Sequence, residues 1–162
     1  MERALTVKTI IVLQKIISGG QTGIDRMALE VAKKLGVPTG GTAPKEYRTE
    51  NGPDPSLAGF GLIESPFYTY DARTKQNVLD SDATILYGNT HSVGSRLTIY
   101  YCKRFGKPHF CNPTVDQFED FILLHNITIL NVAGNRRSSL TASNYERLES
   151  LFYESLQKII QK

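Results

Sequence analysis

A chain of 162 residues, 40% hydrophobic and 22% charged, is sized for a single globular domain with a substantial core. Its net charge of +3, from 19 basic and 16 acidic residues, is too small to argue for nucleic acid, so any preference for anions must be local. The two cysteines, Cys102 and Cys111, lack metal-ligand spacing and read as reduced, buried thiols of a cytoplasmic protein.

In the first fourteen residues, Ile10-Ile11-Val12-Leu13 is apolar but short, and Gln14 and Lys15 interrupt it. No small-residue cleavage site follows, so neither a signal peptide nor a membrane span is expected. Residues 1–14 read as a leader or an extension of the first strand, and residues 15–162 as the domain. Lys15 to Ser18 is β-prone, Gly19 to Gly23 is a turn, and Ile24, Met27, Ala28, Val31, Ala32 and Leu35 recur at helical spacing before Gly36. A helix leaves its first N–H groups unpaired, and a glycine turn lets an anion reach them, so phosphate is the natural guest. Gly19, Gly20 and Gly23 nevertheless make neither G-x-G-x-x-G nor a Walker A sequence, and a tight strand-to-helix turn would use the same glycines.

Val37 to Gly41 predicts a short strand, and Thr42 to Ser65, with no sustained period, a long loop ordered as a lid by Tyr47, Leu57, Phe60, Leu62 and Ile63. Asp71 to Asp82 suits a helix with Arg73 and Asn77 on one face, and Ala83 to Tyr87 a buried parallel strand. A second polar glycine loop, Gly88 to Ser95, feeds a helix from Arg96 to Phe105. His109 to Cys111 is a strand, Thr114 opens a helix to His125 with capping-box spacing, and Ile127 to Val132 is the last strand. Ser143 to Glu146 is another capping box, opening a helix striped by Tyr145, Leu148, Phe152, Leu156, Ile159 and Ile160. Alternating strands and helices predict an α/β fold with a mainly parallel sheet and right-handed crossovers. In such sheets the fourth strand lies beside the first across a switch point, so both glycine loops are expected to face one crevice.

Candidate ligand contacts follow. Gln21 and Thr22 can hydrogen-bond phosphate or a polar ring edge, or only satisfy the turn. Asp25 would repel an anion, and so pairs with Arg26 or takes a ligand hydroxyl. Arg73 is an anion clamp or a solvated helix arginine. Asn89, Ser92 and Gly94 lie in the second loop; Ser95, Arg96 and Thr98 stand at the second helix start, with Ser95 alternatively a plain N-cap. Arg136 and Arg137 follow a strand end, and His91 lies in the second loop without a partner for proton transfer visible in sequence.

The motifs Ser18-Gly-Gly-Gln-Thr-Gly-Ile-Asp-Arg26, Glu50-Asn-Gly52, Arg73-Thr74 with Asn77-Val78, Asp80-Ser-Asp-Ala-Thr84 and Leu130-Asn-Val-Ala-Gly134 together resemble the family named "putative molybdenum carrier". That family is similar to molybdenum cofactor carrier proteins and shares a Rossmann-like superfamily with LOG, or lysine decarboxylase-like, proteins. The resemblance implies a single-domain, doubly wound Rossmann-like ligand-binding protein, often a homo-oligomer. It implies that the molybdenum cofactor (molybdopterin) or another nucleotide-like phosphate is held at the strand ends, with molybdoenzymes as partners; the residues read here as its contacts are Gly19, Gly20, Gln21, Thr22, Gly23, Asp25, Arg26, Arg73, Asn89, Ser92, Gly94, Ser95, Thr98 and Arg136.

Two positions depart from the family pattern: Ser92-Val93-Gly94-Ser95 replaces a Gly-Gly-Thr-like turn, and Asn135 stands where proline is common. The rival function is a LOG-type nucleotide phosphoribohydrolase. That group uses P-G-G-x-G-T-x-x-E, and aligning Gly94-Ser95 with its Gly-Thr pair puts Thr98 where its catalytic Glu belongs. A DNA-processing module is disfavoured by the modest charge and the lack of a basic stripe.

Overall fold

The computed structural model describes residues 13–161. In chain order the elements are β1 (Lys15–Ile17), α1 (Ile24–Lys34), β2 (Thr39–Ala43), β3 (Arg48–Thr49), β4 (Gly52–Pro53), β5 (Leu62–Glu64), α2 (Tyr70–Asp80), β6 (Ala83–Tyr87), α3 (Val93–Arg104), β7 (His109–Cys111), α4 (Val115–Leu124), β8 (Ile129–Gly134) and α5 (Ala142–Ile160). Six strands pair in the order β5-β2-β1-β8-β6-β7, every pairing parallel, and β3 and β4 form a separate antiparallel hairpin. This is a Rossmann-like α/β domain.

Helices α1, α4 and α5 pack together, as do α2 and α3. The first group closes the larger core, where Ile16, Met27, Phe118, Leu130, Val132 and Phe152 are almost completely buried. Val78, Tyr101 and Cys102 form a smaller apolar cluster between α2 and α3. The chain moves one way across the sheet through α1 and α4 and the opposite way through α2 and α3, so right-handed crossovers place these pairs on opposite faces.

The sheet order corrects one expectation directly. The neighbour of β1 is β8, the last strand, and β6 lies one place further on. After β8 the chain enters α5 on one face, and after β6 it enters α3 on the other. The switch point is therefore between β8 and β6, one strand removed from β1 and its glycine turn.

Other boundaries shift for local reasons. β2 and β8 begin two residues later than predicted, because β1 is only three residues long and its register pairs Ile16 with Thr39 and Leu130. Val37 and Ile127 remain buried just before their ladders. The Thr42–Ser65 segment is not a loop. It holds the end of β2, the β3–β4 hairpin, two 3₁₀ turns and β5, the edge strand of the main sheet. Leu57 and Leu62 seal it by packing with Ala43 and with Leu29 of α1. Helix α3 starts at Val93 with Ser92 as its cap, so Ser95 lies inside the helix. Thr141, not Ser143, caps α5, accepting from the Asn144 N–H at 3.1 Å. Helix α2 stops at Asp80, and the Asp82 carboxylate beyond it accepts from the Thr128 and Ile129 N–H groups at 3.0 and 2.9 Å. The expected capping box at Thr114 and Gln117 is formed. A strand extension over residues 1–14 falls mostly outside the described residues, and Leu13 and Gln14 are not in strand.

Asn77 holds α2 to the sheet. Its buried amide receives the Thr42 N–H at 2.8 Å and donates to the Thr42 carbonyl at 2.9 Å, as a neighbouring strand would. Asn77→Leu keeps the volume but leaves both backbone groups unpaired, at about 1–3 kcal/mol each. Urea unfolding should show a loss of that order; an unchanged midpoint would mean that water replaces the amide.

Candidate functional site

Arg73 crosses from α2 to Asp25 in the first turn of α1, with Nη1 3.0 Å from Oδ2. Asp25 is buried, at 3% exposure, and Arg73 is largely covered, at 14%. The same carboxylate oxygen accepts the Gln21 N–H at 3.3 Å. Asp25 is thus the anion at the first glycine turn. Burial pushes its carboxyl above the ordinary carboxylate range, and Arg73 opposes that push. The expected Asp25–Arg26 pair is not formed. Arg26 points away, bonding Glu30 at 2.9 Å and Asp54 at 2.8 Å.

The glycines of this turn are occupied by the chain itself. The Arg73 side chain lies in the space that a Cβ on Gly19 would need. Gly20, at φ +75°, faces the methyls of Leu57 and Leu62, and Gly23, at φ +84°, lies against the backbone of Asn135 to Arg137. The Ile24 N–H, which opens α1, donates to the Asn135 carbonyl at 3.1 Å. Close packing and backbone conformation therefore account for all three glycines.

Gln21 and Thr22 belong to a second tie. Gln21 Oε1 accepts the Thr22 and Glu50 N–H groups at 3.0 and 2.9 Å. The Glu50 carboxylate accepts from the hydroxyls of Thr22 and Ser138 and from the Ser138 N–H at 3.2 Å. Burial pushes the Glu50 carboxyl up, but Ser138 and Thr22 outweigh it and hold the group below the usual carboxylate range. Glu50, quoted from sequence only within the Glu50-Asn-Gly52 motif, and Ser138, not singled out as a contact, thereby fasten the inserted hairpin to the loops after β1 and β8.

A cleft of about 320 Å³ opens at the switch point, over the carboxyl ends of β1, β8 and β6. Its walls bring together Gln21, Asp25 and Arg73 with Ser92, Gly94, Ser95, Thr98 and Arg136. Gly20, Thr22, Gly23 and Arg26 line a separate depression on the other side of the turn. Gly19 and Asn89 are in neither; the Asn89 backbone is held by Asn135, which accepts its N–H at 2.6 Å and donates to its carbonyl at 3.0 Å. His91 is exposed, and Arg137 lies in the separate depression over the Tyr145 ring at 4.9 Å.

The cleft is rich in donors. Helix α3 points its N-terminus into it, with Ser92 as N-cap and open space around Gly94. Ser95 Oγ and Arg73 Nε are buried without a hydrogen-bond partner among the described residues. Gln21 Nε2 and the Arg136 guanidinium likewise make no hydrogen bond among those residues, whereas Thr98 Oγ1 is engaged with the Gly94 carbonyl at 3.1 Å. Tyr70 forms an aromatic wall, flanked by the Arg73 and Arg48 guanidinium carbons at 5.4 and 5.1 Å from its ring centre. Asn135 and Ser139 in the lining, and Tyr70, were not among the expected contacts. An aromatic at the mouth of the segment before Arg73 was the one available signal.

A sequence profile described as the circularly permutated YpsA SLOG family matches residues 16–157. A solved structure described as a putative molybdenum carrier protein from Syntrophus aciditrophicus SB is 34% identical, covering 92% of this chain and 96% of that one, with a TM-score of 0.74. An (E)-4-hydroxy-3-methyl-but-2-enyl diphosphate reductase is 10% identical over 91% of this chain and 60% of its own, with a TM-score of 0.40, too remote to carry an argument. Among curated proteins, none matches this sequence.

Removing Arg73 leaves the Asp25 carboxylate buried without its cation, so Arg73→Ala should cost about 3–5 kcal/mol at neutral pH. A carboxyl whose folded pKa lies above its unfolded value stabilises fully below the unfolded value and loses that contribution as pH rises through the folded one. The deficit of the variant should therefore shrink as pH falls into the carboxylate range. Urea unfolding at several pH values measures this, and a deficit that does not vary with pH would show that Asp25 is not the group left uncompensated.

Proposed function

This chain belongs to the circularly permutated YpsA family of SLOG proteins, and on that premise we propose that it is a binding or carrier protein for an anionic, phosphate-bearing small molecule. The molybdenum cofactor is the favoured cargo, because the 34% identical relative is described as a molybdenum carrier; a nucleotide-like phosphate has the same recognition chemistry. The observation that carries the reading is the pair of buried donors, Ser95 Oγ and Arg73 Nε, left without partners beside the open N-terminus of α3. Buried polar groups are nearly always paired, and an oxyanion would satisfy both together with the exposed helix N–H groups.

The residues fit the phosphate of molybdopterin better than its metal. No Cys or His lines the cleft, and no cluster of three metal-ligating side chains occurs among the described residues. Molybdenum would travel on the sulfurs of the ligand, while the protein holds the phosphate through α3 and Arg73 and sets Tyr70 against a ring. Delivery to molybdoenzymes by a cytoplasmic homo-oligomer belongs to the same proposal. No described helix is long and apolar enough to cross a membrane.

Support for hydrolysis is weaker. With Gly94-Ser95 aligned on the LOG Gly-Thr pair, Thr98 stands where the LOG glutamate belongs, and the single carboxylate among the cleft-lining residues, Asp25, is held by Arg73 and the Gln21 N–H. A carboxylate so engaged is poorly placed for proton transfer to a nucleotide. Incubation with nucleoside 5′-monophosphates should release no free base by chromatography; release that depends on cleft residues would replace the carrier reading with an enzyme.

The anion site is tested at Gly94, where a Cβ meets nothing within 4 Å. Gly94→Asp sets a carboxylate at the helix N-terminus, which the helix tolerates and an incoming phosphate does not. Calorimetric titration with guanosine monophosphate should show at least a tenfold loss of affinity in Gly94→Asp and little change in Gly94→Ala. Exposed Arg136→Ala should weaken binding less, by about 1 kcal/mol. Full affinity in folded Gly94→Asp would remove α3 from the site.

A further inference from the structure

A second, wider hollow of about 580 Å³ adjoins the α3 cleft. Asn135 and Ser139 line both. Its apolar side comes from Pro113, Val115, Leu140, Leu148 and Leu151, and its polar side includes Asn89, Asn144 and Arg147. Neither Asn144 nor Arg147 spends its side chain on a hydrogen bond or ion pair among the described residues. An apolar floor with amide and guanidinium groups around it suits a flat heterocycle with polar edges.

The shared wall is also where the donors converge. Asn135 Nδ2 donates to Ser92 Oγ at 3.2 Å, and Ser92 is the N-cap of α3. The N-terminus of α3 therefore stands beside the boundary between the hollows, with Ser95 lining the α3 cleft one turn on. A phosphate seated there has room for a substituent on each side: one against Tyr70 and Leu97 in the α3 cleft, the other over Leu148 and Leu151.

Resting on the phosphate reading above, we propose that the ligand is two-armed: a phosphodiester or pyrophosphate carrying a ring-bearing group on each side, as in a dinucleotide form of a cofactor, rather than a simple phosphomonoester. Asn144 and Arg147 of α5 then recognise the second ring. Burying that ring should strengthen binding about ten- to a hundredfold over a mononucleotide.

The experiment is calorimetric titration of the full chain with inorganic pyrophosphate, adenosine monophosphate and P1,P2-diadenosine pyrophosphate. It is repeated on Gly94→Asp, and on Asn144→Trp and Arg147→Ala, two exposed positions on α5, with circular dichroism to verify folding. We expect the diadenosine compound to bind at least tenfold tighter than the monophosphate. Asn144→Trp, which fills the second hollow, should bring the ratio close to one, and Arg147→Ala should lower it partway. Equal affinities in the wild type, or a ratio unmoved by both α5 variants, would overturn the two-armed ligand while leaving the α3 anion site standing. Failure of all three probes to bind, or binding untouched by Gly94→Asp, would overturn the phosphate reading and this inference with it.

Discussion

The buried contact between Arg73 and Asp25 sets what the carboxyl end of the sheet can do. A carboxylate with almost no solvent exposure needs a cation and a hydrogen-bond donor, and Arg73 and the Gln21 N–H supply them. To arrive there Arg73 must cross the backbone at Gly19, which explains why that position carries no side chain. The first turn of α1, where a helix would ordinarily offer its N–H groups to a ligand, is satisfied internally: the Ile24 N–H donates to the Asn135 carbonyl and the Arg26 N–H to the Gln21 carbonyl. Yet the Nε of the same arginine is buried without a hydrogen-bond partner among the described residues, and Arg73 also lines the cleft, so one side chain closes the first turn and helps to furnish the cleft beside it.

Permutation explains why the cleft lies where it does. Taken as the first strand, β8 would start a run through β1, β2 and β5, with β6 and β7 on its other side. The divergence of the chain to opposite faces then falls between β8 and β6, and the crevice of a doubly wound sheet opens at such a divergence. The loop after β1 is one strand removed from that point. It borders the crevice through Gln21 and Asp25, while its glycines face the inserted hairpin and the segment after β8. The match to a circularly permutated family agrees with this topology.

Much of the fold was readable because its elements are locally encoded. The stripe of α1, the continuous apolar β6 and the Thr114 capping box each needed only nearby residues. β5 was not readable, since three residues give no measurable period and its place at the sheet edge depends on Leu57 and Leu62 meeting α1. The insertion of β8 beside β1 was hidden for a different reason: connectivity, not composition, decides it. Within the site, the residues singled out from sequence have two different jobs. Gly19, Gly23, Glu50 and Asn77 lock the chain to itself, whereas Arg73, Ser92, Gly94, Ser95 and Arg136 line the open cleft. A motif alone cannot separate these jobs, because a glycine vacated for a guanidinium reads the same as one vacated for a phosphate.

The most direct test is the anomalous scattering of tungstate, a phosphate-like oxyanion, bound to crystals of this protein. A peak is expected within hydrogen-bonding distance of Ser95 Oγ and the N-terminus of α3, with the Arg73–Asp25 pair intact. A peak at the Gly19 to Gly23 turn, with Arg73 withdrawn from Asp25, would contradict that placement.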